Sequence, residues 1–343
     1  MPSFDVSGKW VILAPPGFLP AEDLARYIDL VRKQAGLSLP PAALADAAGN
    51  APPDSVPVIV LNAGEGGRDR SGYSWRAGTD RIEIYGDSDR GLCNGIFDFL
   101  AALGIHWPDA DCEQLPAPAG GGRYPLARDG AHAASASSPE SRRRFVIPAG
   151  EKPKKVAALV RWAARNRYDA VVVSLRDTPG EIAARYRLIV ERGGRDLSLL
   201  VPRRYFFFHR DLFRMEEGRR TKRYNFCPTN PDTIALLKKE IALAFRRIRA
   251  RGSGAGEGAA VWHLWPDRGH EKTWCSCPAC RAFSPEEQNR IAVNAAAAAL
   301  AELAGDVRVS CLAENSGGEE GDAAPRLPLG PNVFVLTKAP GTA

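Results

Sequence analysis

The chain has 343 residues, enough for about two domains at the usual ~150 residues each. Hydrophobic residues make up 45% and charged residues 25%, the balance of a globular protein with sizeable cores, which excludes disordered and fibrous classes. Lys and Arg number 46 against 40 Asp and Glu, a net charge of +6; the Arg residues are scattered, with short runs only at Arg142-Arg143-Arg144 and between Arg246 and Arg251, so nucleic acid is not expected as a partner.

At the start, Met1-Pro2-Ser3-Phe4-Asp5 lacks the basic and apolar regions of a signal peptide. Residues 9–14 then predict a strand ended by Pro15-Pro16-Gly17. Pro20 opens a helix with Leu24, Ile28 and Val31 on one face and Gly36 as its stop. Residues 56–61 predict a second strand, and residues 73–76 and 81–85 flank Ala77-Gly78-Thr79-Asp80 as a hairpin. After Gly86-Asp87-Ser88 comes a helix carrying Leu92, Ile96, Phe99, Leu100 and Leu103. The order β-α-β-β-β-α predicts an α/β sandwich domain over residues 1–115. Residues 116–142, rich in Pro, Gly, Ala and Ser, read as a linker.

Beyond the linker the rhythm becomes regular. Strands are predicted at 145–147, 170–175, 197–201, 259–264, 307–312 and 333–336. Helices are predicted at 155–166 and 181–192, from the Asn230 cap with Pro231 at its first position, and from the Ser284-Pro285-Glu286-Glu287 capping box. Continuous apolar strands alternating with helices predict a parallel sheet covered on both faces, a TIM-type β/α barrel over residues 143–343. A closed barrel takes ~250 residues and eight strands. Only about six strands are legible here, with no helix after the last, so the barrel is expected to be incomplete and truncated at its C-terminal side. No apolar run approaches the ~20 residues of a membrane helix, and seven cysteines are odd and sparse for a disulfide framework. A cytoplasmic protein with no membrane partner is expected.

In such a barrel the residues just after each strand face the active site. The strand at 259–264 is followed by Trp265, Asp267, Arg268, His270 and Glu271, and the strand at 307–312 by Glu314. Tyr205 to His209 form an aromatic stretch beside them. Two carboxylates flanking a bond are what glycoside hydrolysis requires, and aromatic rings suit stacking on sugars. Asp267 and Glu314 are therefore the candidate catalytic pair, with His209, Tyr205, Trp265 and Arg268 as candidate substrate contacts.

Cys275-Ser276-Cys277-Pro278-Ala279-Cys280 is the sharpest local pattern. With His270 five residues upstream, three thiols and an imidazole match the donor set of a structural zinc site. Cys227 is a second candidate for the fourth ligand, and a disulfide or three reduced thiols are the alternatives. No other cofactor is expected. Cys93 and Cys311 read as core residues.

Several of these motifs resemble known families. Residues 81–100, with Arg90-Gly91 opening the helix, and Leu103-Gly104-Ile105-His106-Trp107 resemble the N-terminal domain of α-glucuronidases and family-20 β-hexosaminidases. Phe226-Cys227-Pro228-Thr229-Asn230-Pro231, Trp265-Pro266-Asp267, Trp274 to Cys280 and the helix around Asn294 resemble the domain-of-unknown-function 4838 family, whose members have a glycosidase-like build. The resemblance implies an N-terminal α/β domain before a β/α barrel that acts on carbohydrate. It departs from the hexosaminidases at Asp267, which is followed by Arg268 where they carry an Asp-Glu pair, so their substrate-assisted chemistry is not implied. A glycoside hydrolase is the first reading, and a non-catalytic carbohydrate-binding or scaffold protein on a degenerate barrel is the alternative. A metal-dependent enzyme using the cysteine loop is a third.

Overall fold

Strand and helix alternate from the first residues of the structure, a computed structural model that describes residues 3–46, 56–67, 70–135, 138–179, 181–250, 261–267, 273–313 and 326–337. β1 (Ser3–Asp5) and β2 (Val11–Ala14) lead into α1 (Pro20–Gln34). Pro20 sits in the first turn of α1, where no backbone N–H is needed, and Glu22 and Asp23 face the positive end of the helix dipole. The predicted stripe of Leu24, Ile28 and Val31 is fully buried.

β3 (Ala43–Asp46), β4 (Val58–Ala63), β5 (Tyr73–Ala77) and β6 (Arg81–Gly86) follow, the last two as the expected antiparallel hairpin. α2 (Asp89–Ala102) is capped by the Ser88 side chain, which accepts from the N–H groups of Arg90 and Gly91. Gly86 and Gly91 let this helix lie close to the sheet. A Cβ on Gly91 would stand 2.1 Å from the Gly72 carbonyl oxygen, and one on Gly86 would stand 2.0 Å from the Leu92 nitrogen.

β7 (His106–Asp109) and β8 (Cys112–Gln114) form a small antiparallel pair. The segment expected as a linker is then partly built into the first sheet region. β9 (Arg123–Pro125) pairs with β1, and β10 (Gly130–Ala133) adds to the edge of β5. Their ladders satisfy the backbone groups, and Tyr124 and Leu126 anchor the segment in the core. Two such short strands leave almost no periodicity, so composition alone misread them. The first main sheet has the order β10-β5-β6-β4-β2-β3.

The second region contains β11 (Arg144–Val146), α3 (Pro153–Arg165), β12 (Ala170–Val173), α4 (Glu181–Arg185) and β13 (Ile189–Gly194). A hairpin of β14 (Met215–Glu216) and β15 (Arg219–Arg220) precedes α5 (Pro231–Ala250), β16 (Val261–Leu264), α6 (Pro285–Ala301), β17 (Arg308–Ala313) and β18 (Val333–Thr337). Six strands in the order β11-β12-β13-β16-β17-β18 pair in parallel throughout. Among the described residues this sheet is open, with β11 and β18 at its edges, which makes it an incomplete TIM-type barrel.

One strand lies elsewhere than its sequence pattern suggests. The third strand is β13, and residues 197–200 form a 3-10 turn instead. Glu191 and Arg192 gave 181–192 a helical look, but α4 stops at Arg185 and the chain turns straight into the sheet. Gly193, at φ +107°, completes the strand: a Cβ there would meet the His263 carbonyl oxygen at 2.1 Å, so only glycine lets the two strands pair.

The two regions share one continuous apolar core from Phe4 to Leu188. Arg90, 1% exposed, crosses from α2 to donate to the carbonyls of Tyr186, at 3.1 Å, and Tyr168. The Arg of the α2 motif thus clasps the two regions together.

Candidate functional site

The site is assembled where β13 and β16 leave the sheet. The Trp265 N–H donates to the Gly194 carbonyl at 2.9 Å, and the Leu197 N–H donates back to the Trp265 carbonyl at 3.2 Å. The two chain segments therefore depart side by side, which brings Arg195, Asp196, Ser198 and Asp267 to one rim. Ser198 Oγ donates to Asp267 Oδ1, and Arg203 Nη2 lies 3.1 Å from Oδ2. Asn225 Oδ1 accepts the Asp267 backbone N–H at 3.0 Å, and Arg195 Nη1 donates to the carbonyls of Pro266 and Asp267 at 3.1 and 3.3 Å. The Asp267 side chain keeps 24% of its surface exposed, so it is oriented by protein groups yet reachable.

Asp196 was missed from sequence because its strand was placed too late in the chain. It lies two residues after the end of β13 and is buried. Burial pushes its carboxyl up, against opposing hydrogen bonds from the Leu175 N–H, at 2.7 Å, and from Ser174. A carboxyl raised in this way at a barrel rim is a functional-site candidate.

Beneath the rim, a polar chain runs across three strands that are distant in sequence. Glu191 on β13, His263 on β16 and Ser310 on β17 are all buried. His263 Nε2 lies 2.8 Å from Glu191 Oε2 and Nδ1 lies 2.6 Å from Ser310 Oγ, which accepts from Trp265 Nε1 at 3.0 Å. Arg144 Nε and Arg142 Nη1 reach Glu191 at 2.6 and 3.2 Å. Burial alone would raise the Glu191 carboxyl. The His263 hydrogen bond and the charges of His263 and Arg144 outweigh it and lower the group to about 2. Burial lowers His263, with Glu191 opposing. Glu191 can only accept, so Nε2 carries a proton toward it; when the ring is neutral, the Ser310 hydroxyl, which already accepts from Trp265 Nε1, donates to Nδ1. Trp265 is therefore a buried wall residue, with its ring 5.0 Å from that of His263.

The remaining candidates divide clearly. Tyr205 is half-buried and His209 exposed, with their rings 6.2 Å apart. The neighbouring Phe207 and Phe208 are 70% and 87% exposed, and they present the open aromatic faces of the segment. Glu314, Arg268 and His270 lie outside the described residues.

The cysteines converge. The sulfurs of Cys227, Cys275, Cys277 and Cys280 all lie within 4.8 Å of one another. Cys227 Sγ is 3.8 Å from that of Cys277 and 3.7 Å from that of Cys280. Hydrogen bonds from Cys275 and Cys280 lower the Cys227 thiol, and the same bond pushes Cys275 up to about 11. Gln288 on α6 holds the loop by accepting from the Cys275 N–H at 3.1 Å and donating to the carbonyls of Cys275, Cys280 and Phe283. Cys93 and Cys311 are core residues, as expected.

No family model and no curated protein matches the chain. Among solved structures it is similar to a chitobiase from Flavobacterium johnsoniae, with a TM-score of 0.56 and 12% identity over 91% of this chain and 50% of that one. It is also similar to a family-20 β-N-acetylhexosaminidase from Streptomyces coelicolor, with a TM-score of 0.52 and 11% identity over 98% of this chain and 66% of that one. A β-N-acetylhexosaminidase from Bacteroides fragilis matches with a TM-score of 0.52 and 13% identity over 98% of this chain and 67% of that one. The chain thus spans about half the length of the first of these proteins. At such identities the likeness is one of fold alone. No helix among the described residues is long and apolar enough to cross a membrane.

Proposed function

We propose that the protein acts on carbohydrate as a glycoside hydrolase, with Asp267 as one carboxylate of the site. The observation that carries this reading is the position of Asp267, which is partly exposed after the fourth strand of an incomplete TIM-type barrel and oriented by Ser198 and Arg203. A carboxylate fixed in one orientation suits a group that must face the anomeric carbon of a sugar. Glu314, which follows β17 in the chain, supplies the second carboxylate, and Asp196 is the alternative within the described residues. Tyr205, His209, Arg268 and the wall residue Trp265 contact the sugar. The resemblances to the domain-of-unknown-function 4838 family and to the α-glucuronidase N-terminal domain belong to the same proposal. So does residence in the cytoplasm, where buried thiols stay reduced.

A screen for sugar released from amino-sugar and uronic-acid glycosides tests it. The unaltered chain should release sugar, and Asp267→Asn and Glu314→Gln should each stop release while the protein stays folded. One observation favours a second reading: both Asp267 oxygens are already engaged by protein groups. Binding of a glycan without release would support that non-catalytic carbohydrate-binding reading. Neither binding nor release across the screen would overturn both.

A further inference from the structure

Four thiols meet at a place where glycoside hydrolysis requires none. Cys227, Cys275, Cys277 and Cys280 are at most 5% exposed, and they come from two segments about fifty residues apart in the chain. We propose that they bind one zinc ion, a structural centre that fixes the rim around Asp267. With Zn–S bonds of about 2.3 Å, the sulfurs of a tetrahedral site stand about 3.8 Å apart. The separations of 3.7 and 3.8 Å from Cys227 match that edge length. They are far longer than the ~2.05 Å of a disulfide bond.

The surroundings suit thiolates. The Met215 N–H donates to Cys275 Sγ at 3.2 Å, Arg220 Nη1 lies 3.7 Å from the same sulfur, and Thr229 Oγ1 is 3.1 Å from Cys280 Sγ. A zinc ion with four thiolates carries two negative charges, and these donors spread that charge as outer partners of metal ligands do. Burial closes the site to a fifth ligand, which separates a structural zinc from a catalytic one.

The position of the cluster explains what it would hold. Asn225 lies two residues before Cys227, accepts the Asp267 N–H, and donates to the carbonyl of Thr273, two residues before Cys275. Zinc therefore clamps both segments that hold Asn225, and Asn225 holds the Asp267 backbone. This inference stands whether or not the protein cleaves a sugar.

The test uses the full chain. Thiol titration with an organomercurial, read by a chromophoric zinc indicator, should release one zinc per chain. Metal-free chain given cobalt should take up one equivalent and show thiolate charge-transfer bands with the visible bands of a tetrahedral site. Cys277→Ser should lose these bands and Cys112→Ser should keep them. If the first variant fails to fold, the cobalt spectrum of the unaltered chain still decides. Chelation should lower the melting temperature. Iron in place of zinc, a disulfide among the four cysteines, or zinc-free protein that takes up no cobalt would overturn the proposal.

Discussion

Asn225 accepts the backbone N–H of Asp267 at 3.0 Å while its own amide donates to the Thr273 carbonyl at 3.2 Å. Both groups belong to loops, and the fully buried Asn225 side chain is what keeps the loops in register. Asn225→Leu keeps a side chain branched at Cγ but removes the hydrogen bonds to the Thr273 carbonyl and from the Asp267 N–H. It should destabilise the protein by about 1–3 kcal/mol in urea unfolding and weaken any glycan binding. Unchanged stability would show that the bridge carries no weight.

The Arg203–Asp267 ion pair is partly open to solvent, with side chains 34% and 24% exposed. Asp267→Asn should therefore shift stability by no more than about 1 kcal/mol. If Asp267 touches the reacting sugar, turnover should fall by roughly a hundredfold or more. Turnover near the parent rate would remove Asp267 from the chemistry.

Glu191 sits at about 2 in the folded protein against an ordinary 4.5. A depressed folded-state carboxyl contributes stability above its unfolded value, and that contribution is lost as pH falls through the folded one. Glu191 thus supports the fold by about 3 kcal/mol near neutrality, and the loss falls between pH 4.5 and 2. His263, lowered by burial, adds a loss of the same sign that begins near its ordinary 6.5. Glu191→Gln should flatten the stability-against-pH curve below 4.5 while lowering its neutral plateau. A mutant curve parallel to the parent would contradict the linkage.

Arg90 donates to two carbonyls across the junction of the two regions while 1% exposed. Arg90→Leu should cost about 3 kcal/mol, because the carbonyls of Tyr168 and Tyr186 lose their donor. Arg81→Ala, which breaks an exposed pair with Glu83, should stay within about 0.5 kcal/mol. Equal midpoints in denaturant for the two variants would deny Arg90 its clasping role.

Local spacing alone located five of the six helices and nine of the twelve strands that make the two main sheets among the described residues. Leu24, Ile28 and Val31 recur at helical period, Ser284 and Glu287 close a capping box, and the apolar run of β12 is continuous. Each signal is complete within a few residues, so the chain needs no distant partner to express it. The Asp267 rim position was legible for the same reason, being the end of a clear strand. Where the local signal was mixed, as at Glu191-Arg192-Gly193-Gly194, the strand was lost, and Asp196 and Ser198 were lost with it.

Tertiary structure decided which polar groups meet. Glu191, His263 and Ser310 stand 72 and 47 positions apart, and only the parallel pairing of β13, β16 and β17 sets them in one line. The cysteine loop showed three of the clustered thiols in sequence. The choice of Cys227 as the fourth sulfur in the cluster needed the fold of the hairpin and loop that carry it. A buried ionic or thiol group gains its stability from partners rather than from its neighbours in the chain, so its role can be read only once those partners have been brought into contact.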